Sequence, residues 1–398
     1  MTAPMTGPGK AGPRSAALLA DPRFRSIVIQ VLLIAAVLAI GYFAVVNAAA
    51  NLRAQRIATG FGFLAEPAGF GINQTLIPYS EADSYGRVFV IGLLNTLVVA
   101  VLGIVLATVV GFTVGIARLS TNWLIARVAG AYVEVMRNLP LLFQILFWYL
   151  GVLAVSVPPQ QSLSLFGSIF INVRGIYVPG IVFGDGAGIV LAALAAGVGA
   201  FGILAIVSRR WRLATGHPLP LWWPGLLLLV VLPLVVLAAA GFPIRFEPPT
   251  LRGFNFVGGV RMIPEFAALL IALVTYTGAF IAEIVRAGIL SVHRGQTEAA
   301  YALGLRRGLA LRLIVVPQAL RLIVPPLTSQ YLNLTKNSSL AVAIGYPDLF
   351  ALFAGTTLFQ THQAVEIIAM TMAVYLVLSL ITSALMNWYN ARMRLAER

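Results

Sequence analysis

The sequence predicts an all-α integral membrane protein with about eight transmembrane helices. Hydrophobic residues make up 60% of its 398 residues and charged residues only 10%, whereas soluble domains average about 25% charged residues. Its mean hydropathy is +0.92. Several apolar stretches are long enough to cross about 30 Å of hydrocarbon. Together these observations exclude a soluble globular protein.

Eight apolar stretches are predicted to span the membrane. A basic, Pro- and Gly-rich head precedes the first, and no convincing cleavage site follows it, so we expect a retained helix and not a signal peptide. The stretches lie at 27–47, 88–116, 130–156, 187–207, 221–241, 263–288, 322–345 and 364–388. They divide the chain into a head (1–25), a first helix with an external segment (26–87), core helices (88–156), inserted loops with a helical pair (157–261), further core helices around a loop at 290–321 (262–390), and a tail (391–398).

The distribution of positive charge predicts the orientation. With the N-terminus in the cytoplasm, eighteen of the 27 Lys and Arg residues lie on the cytoplasmic side, seven lie outside, and Arg137 and Lys336 fall within spans. Short cytoplasmic loops carry an excess of Lys and Arg. We therefore expect both termini in the cytoplasm.

Composition also limits the chemistry. The chain has no cysteine, and its three histidines are scattered without ligand spacing, so we expect neither disulfides nor a metal site. The net charge of +14 could suggest nucleic acid. However, the basic residues flank apolar spans and form no patch interleaved with aromatics, so we expect no nucleic-acid partner.

The predicted spans differ in character. Those at 187–207 and 221–241, like the first, have almost no polar groups, which indicates that they face lipid. Polar residues gather in the other five, which is typical of helices that surround a pathway.

The first polar cluster lies around RNLP in the third span. Glu134, Arg137, Leu141, Gln144 and Trp148 recur at helical spacing, which predicts one helix face. Ionisable groups in the membrane need partners, so we expect Glu134 and Arg137 to be neighbours or to share partners. Pro140 is predicted to break or kink this helix. The cluster, with Asn138, is interpreted either as a pathway wall or as a salt bridge near the cytoplasmic membrane face.

The other two clusters lie in later spans. Gln330, Asn333, Lys336 and Asn337 share a helix face, and the Lys336 ammonium could hold a solute carboxylate or pair with Glu134 or Glu283. Tyr276 and Glu283 share a second face. Because Glu283 precedes Arg286 by three residues near the cytoplasmic end, we expect pairing there before solute contact.

The loop between the sixth and seventh spans reads EAAYALGLRRGLALRLIVVP. Thr297 is predicted to cap a short helix, and Glu298, Ala299 and Ala300 are its first-turn residues. Gly304 is predicted to end that helix in a left-handed conformation. Arg306 and Arg307 stay in water, and a second segment containing Ile314 runs to a stop at Pro317. The predicted product is a small helix-turn-helix suited to a groove in a soluble partner.

This spacing resembles the cytoplasmic coupling loop of the permease subunits of ABC importers: EAA, three residues, Gly, nine residues, then Ile-x-Leu-Pro. Val316 stands where Leu is commoner. The strings RNLPLLFQ, EIVRAGILSVHRGQTEAAYALGL, PQALRLIVPPL and NLTKNSSLA further resemble the polar amino acid branch. The extra first helix and the inserted pair look like the larger permease of a general L-amino acid or glutamate/glutamine importer.

The resemblance implies a type I importer permease core of five helices within a bacterial inner membrane. It implies a transport subunit with no catalytic residue, paired with a second, shorter homologous permease. A dimer of ATPase subunits would bind ATP and Mg²⁺, and a periplasmic binding protein would deliver the amino acid. This chain has no GxxxxGK[S/T] phosphate loop.

Two other classes of protein are considered. A secondary transporter or ion channel would use Glu134, Arg137 and Lys336 as ion sites and would need no ATPase; a membrane scaffold would need no polar pathway. Neither explains the spacing of the 20-residue loop.

Overall fold

The computed structural model describes residues 22–54, 60–153, 156–217, 219–242 and 244–393. Helices dominate these ranges, and the fold class predicted from the sequence is confirmed. The principal helices are α1 (Pro22–Ala54), α2 (Tyr85–Ala117), α3 (Trp123–Asn138), α4 (Leu141–Leu153), α5 (Ala187–Thr215), α6 (Trp222–Ala239), α7 (Pro264–Leu290), α8 (Arg294–Ala302), α9 (Arg307–Ile344) and α10 (Ala364–Met393). Most of the predicted head, Arg56 and residues 394–398 of the tail lie outside the described residues.

The number of spans agrees with the sequence. Within the described ranges, seven helices are long and apolar enough to cross a membrane, and there are eight when the bent pair α3 and α4 is counted as one span. The third span was predicted to begin at residue 130, whereas α3 begins earlier, at Trp123. Asn122 caps this helix, since its Oδ1 accepts from the N–H groups of Leu124 and Ile125 at 3.0 and 3.3 Å.

Helices α2 and α7 form the centre of the bundle through a row of small residues. On α2, residues 103, 107, 111 and 115 are Gly or Ala. A Cβ on Gly115 would lie 2.7 Å from the carbonyl oxygen of Ala282, and one on Gly111 would overlap the side chain of Ile281. Small residues allow this close backbone approach, which favours helix packing in a membrane.

The third span is broken where Pro140 was predicted to break or kink it. α3 and α4 meet at an angle of 108°. Proline has no N–H, so the carbonyl of Met136, four residues earlier, loses its helical donor. The Nε2 of Gln144 donates to the Met136 and Leu139 carbonyls at 3.0 and 3.1 Å instead. The prediction of one continuous polar face is therefore wrong, because the bend divides it.

Small antiparallel sheets occupy the inserted segments, which the sequence analysis treated as loops. The strands are β1 (Leu163–Leu165), β2 (Ile169–Asn172), β3 (Gly175–Val178), β4 (Gly180–Phe183), β5 (Ile244–Glu247), β6 (Thr250–Arg252), β7 (Asn255–Val257) and β8 (Val260–Met262). One sheet has the order β1-β2-β3-β8, and β4–β5 and β6–β7 form two further pairs. The ring of Phe256 lies 4.6 Å from that of Phe170 and 4.9 Å from that of Tyr177, joining β7 to the larger sheet.

The inserted helices α5 and α6 form a hairpin. Gly197 brings α5 so close to the backbone of Leu228 that a Cβ would overlap the Leu228 carbonyl oxygen. Most of their other side chains are exposed, as are the described ones of α1. This exposure agrees with helices that face lipid.

Candidate functional site

The predicted coupling loop contains a short helix, α8, between the long helices α7 and α9. This helix begins four residues earlier than predicted, at Arg294, and Thr297 is not its cap. His293 occupies that position, because its Nδ1 accepts from the N–H of Gly295 at 3.1 Å. Glu298 therefore lies in the second turn of α8, where it gains little from the helix dipole.

Gly304 ends α8 as predicted. Its φ is +75°, a region that favours glycine. The N–H of Leu305 donates to the Ala300 carbonyl at 3.1 Å, and the N–H of Gly304 donates to the Tyr301 carbonyl at 2.9 Å. These two bonds form a Schellman motif, which satisfies carbonyls at the helix end.

The helical segment that was predicted to end at Pro317 continues beyond it. α9 begins at Arg307 and remains helical through a π-helical turn at Leu311–Val315, directly before Pro317. A wider turn relieves the clash between the proline ring and the preceding carbonyl. The second half of the loop is thus the start of a spanning helix.

The loop presents an exposed surface and is attached to α9 on its other side. Glu298, Ala299, Gly304, Arg306 and Arg307 are exposed, as is Leu303. Ala300 is buried, and Ile314 and Pro317 are half-buried. The Nε2 of Gln318 donates to the Oε1 of Gln296 at 3.4 Å.

A cluster of charged side chains joins three helices near the start of this loop. Glu283 of α7 accepts from Nη2 and Nε of Arg286 at 2.6 and 3.2 Å. It also accepts from Arg118, which follows α2, and lies 3.8 Å from Nη1 of Arg137 on α3. The predicted Glu283–Arg286 pair is confirmed.

The predicted contact between Glu134 and Arg137 is wrong. The guanidinium of Arg137 lies over the ring of Phe280 at 5.3 Å and beside Glu283. Glu134 is exposed and has no salt bridge within the described residues, while Asn138 Nδ2 donates to its backbone carbonyl at 2.7 Å. Since Gln144 is buried and bonds the backbone at the α3–α4 break, we interpret it as structural.

Lys336 is not paired with Glu134 or Glu283, so that expectation also fails. Three arginines surround Glu283, and Lys336 forms no salt bridge among the described side chains. On α9, Asn333 and Lys336 are exposed and Gln330 and Asn337 are half-buried. The ring of Tyr276 on α7 packs against that of Phe280, with 4.9 Å between the ring centroids.

A cavity of about 610 Å³ lies beside Lys336. Apolar side chains form most of its wall, and its polar residues are Lys336, Ser339, Thr371, Tyr375 and Ser379. The Oγ of Ser379 is buried and has no hydrogen-bond partner among the described atoms. Buried hydroxyls normally have one, so Ser379 is an exception among the residues around this cavity.

A comparison with known families decides the class of protein. Residues 103–395 match the family of inner membrane components of binding-protein-dependent transport systems. This match covers more than half of the chain. The chain belongs to this family. Its members are transport components, and ATP is hydrolysed by a separate subunit.

Relatives of this transport component are similar over their full length. The general L-amino acid transport system permease protein AapQ of Rhizobium johnstonii is 49% identical, covering 100% of this chain and 98% of the relative. The glutamate/glutamine/aspartate/asparagine transport system permease protein BztB of Rhodobacter capsulatus is 44% identical, covering 98% and 99%. A crystal structure of an amino acid ABC transporter with histidines has a TM-score of 0.46 at 22% identity, covering 77% of this chain and 95% of that one.

The sequence analysis missed a buried polar cluster in this transport component. The Oδ2 of Asp348 accepts from the Tyr375 hydroxyl at 3.1 Å, and its Oδ1 accepts from the Ala351 N–H at 2.8 Å. The Thr96 hydroxyl accepts from the Leu349 N–H at 3.1 Å. Burial raises the pKa of the Asp348 carboxyl to about 6. The only signal in the sequence was an acid directly after a proline in GYPDL.

Proposed function

We propose that this chain is the membrane-spanning permease subunit of an ATP-driven importer for L-amino acids. Its family membership gives the transport role, and the amino acid substrate rests on the names of its full-length relatives. The structural observation that carries the coupling role is α8, an exposed helix with a glycine-capped end between two spanning helices. Such a helix can lie in a groove of a soluble ATPase.

Contacts between helices can transmit movement of α8 to the membrane-spanning bundle. Ala300 is buried and Gln296 bonds Gln318, so α8 is attached to α9. Glu283, seven residues before the end of α7, links that helix to Arg118 and Arg137. Movement of α8 would therefore displace α7, α9, the cytoplasmic end of α2 and the C-terminal end of α3 together, as an alternating-access change requires.

We place the solute site in the cavity beside Lys336. The cavity beside Lys336 offers one ammonium within mostly apolar walls. An ammonium surrounded by apolar groups favours a carboxylate. We assign Lys336 to the α-carboxylate of the amino acid, with Gln330, Asn333 and Asn337 on the same helix along its path.

Three kinds of partner complete the proposed importer. We propose a second homologous permease, making a heterodimer, a dimer of ATPase subunits that bind ATP and Mg²⁺, and a periplasmic amino-acid-binding protein. In this arrangement both termini lie in the cytoplasm, and the sheets formed by β1–β8 face the periplasm.

The coupling role is tested by Glu298→Lys in the complete complex, reconstituted in liposomes. We expect ATP-driven uptake to fall at least tenfold, with weaker retention of the ATPase. Asp185→Lys is the matched control, because it makes the same change of charge in an exposed turn outside this loop, and it should transport normally. Normal uptake by Glu298→Lys would refute the coupling role. Uptake that survives ATP depletion but stops with a proton uncoupler would instead favour a secondary transporter.

The solute site is tested by Lys336→Met, which keeps the length of the side chain and removes its charge. We expect the concentration of amino acid needed for half-maximal uptake to rise at least tenfold, because a charge-assisted hydrogen bond contributes about 1.5–3 kcal/mol. Lys336→Arg should retain part of the affinity. Unchanged affinity in Lys336→Met would remove this residue from the site.

A further inference from the structure

The turn between α5 and α6, taken together with the last residues of α5 and the first of α6, combines positive charge with exposed tryptophans. Arg209, Arg210 and Arg212 are exposed and have no ion pair within the described part of the chain. No Asp or Glu occurs between Asp185 and Glu247. This end of the hairpin therefore attracts anions without any internal neutralisation.

An apolar groove lies between α5 and α6 at the turn that joins them. It has a volume of about 360 Å³, and its walls include Leu204, Leu219, Trp223 and Leu227. The Oγ of Ser208 donates to the Leu219 carbonyl at 3.3 Å, which holds the turn against α5. Residues four apart share a helix face, so Leu204, Ser208 and Arg212 form one line from the groove to the charge.

The groove lies between two helices that cross the membrane, and the turn lies at the end of the hairpin away from the sheets. Trp211, Trp222 and Trp223 are 52%, 76% and 49% exposed. Tryptophan is enriched at the boundary between lipid and water. These observations favour a lipid over a soluble anion or a protein, because only a lipid offers both an anionic headgroup and a hydrocarbon chain.

We propose that this turn binds an anionic glycerophospholipid, with its phosphate on Arg209 and Arg212 and an acyl chain in the groove. Arg210 adds to the local positive potential. The site lies on the inserted hairpin and is separate from the cavity beside Lys336 and from α8. It therefore stands whether or not the amino acid substrate is correct.

Tryptophan quenching by brominated lipids tests this site in the intact transport complex. Trp123, Trp148 and Trp388 of this chain are replaced by Phe, so that the remaining Trp211, Trp222 and Trp223 report on the turn. A complex in which these last three are also replaced gives the background signal. Dibrominated phosphatidylglycerol and phosphatidylcholine with identical chains are compared. We expect at least fivefold tighter binding of phosphatidylglycerol at low salt, since each basic residue near an anionic surface contributes about 1 kcal/mol, and a smaller ratio in 0.5 M NaCl.

Two sets of variants locate the lipid. Arg209→Gln, Arg210→Gln and Arg212→Gln together should bring the ratio close to one, with the single variants Arg209→Gln and Arg212→Gln intermediate. Arg174→Gln, Arg245→Gln and Arg252→Gln remove the same charge from the strands and should leave it unchanged. Leu204→Phe with Leu227→Phe fills the groove and should weaken phosphatidylglycerol binding about threefold.

Several results would overturn the proposal. Equal quenching by the two lipids in the parent protein would do so, as would a preference that survives the triple Arg→Gln change. Normal binding by the groove-filling variant would show that no acyl chain occupies the groove. If the triple variant loses the ATPase but keeps its lipid preference, the turn is a protein-docking surface.

Discussion

At the scale of single residues, Glu283 balances the charge where three helices meet. It is the one acid among Arg118, Arg137 and Arg286 in this cluster. The Glu283–Arg286 pair could be predicted from a spacing of three. Arg118 and Arg137 could not be assigned to it, because the contacts with them depend on how α2, α3 and α7 pack.

Replacing Glu283 by Gln should destabilise the subunit by about 2–3 kcal/mol, because three guanidinium groups would then repel one another. This is below the cost of breaking a fully buried pair, since these side chains remain partly exposed. The melting temperature of the purified complex in detergent measures the effect. Glu134→Gln removes an exposed acid that forms no salt bridge with the described side chains, and it should leave the melting temperature unchanged.

Asp348 should make stability depend on pH. Its pKa is raised by burial from 3.8 to about 6, so the folded protein binds a proton more readily than the unfolded chain. The contribution of Asp348 to the free energy of unfolding is therefore greatest below the pKa that this carboxyl has in the unfolded chain. It decreases by up to ~3 kcal/mol as the pH rises from about 4 to about 6.

Asp348→Asn should flatten this dependence. An amide cannot ionise, and its oxygen can still accept from the Ala351 N–H. Melting temperatures measured between pH 4.5 and 7 compare the slopes of the two proteins. Parallel curves would show that the carboxyl does not titrate in this range.

At the scale of elements, apolar length predicted the spans because a membrane helix must cover a fixed thickness. Local backbone chemistry predicted the break at Pro140 and the left-handed Gly304. The strands were missed because they are only three or four residues long. The start of α8 was missed because histidine is an uncommon cap.

The contact between α2 and α7 should be sensitive to one added methyl group at Gly115. Its Cβ would meet a backbone carbonyl, which cannot rotate away, so Gly115→Ala should cost about 1–3 kcal/mol. Gly130→Ala is the matched control: a Cβ there meets nothing within 4 Å, and alanine favours a helix by up to ~1 kcal/mol. A melting temperature that rises in both variants would contradict the close packing.

At the scale of the whole molecule, sequence reasoning gave the architecture and the position of the loop, but not the side chains around the cavity. Lys336 was recognised as polar within a span. The unpaired Ser379 was not, because its isolation depends on α10 packing beside α9. The distribution of charge predicts that α8 and the basic turn between α5 and α6 lie on the same side of the membrane.

This orientation can be tested cleanly because the chain has no cysteine. We expect Ser164→Cys, in β1, to react with a membrane-impermeant maleimide in intact cells. Gln296→Cys in α8 and Thr215→Cys at the end of α5 should react only after the membrane is opened, because eighteen basic residues favour the cytoplasm. All three positions are exposed, so a difference in labelling reports the side of the membrane. Labelling of Gln296→Cys in intact cells would place α8 beyond the reach of a cytoplasmic ATPase and refute its coupling role, whereas labelling of Thr215→Cys alone would show that the α5–α6 hairpin does not span the membrane.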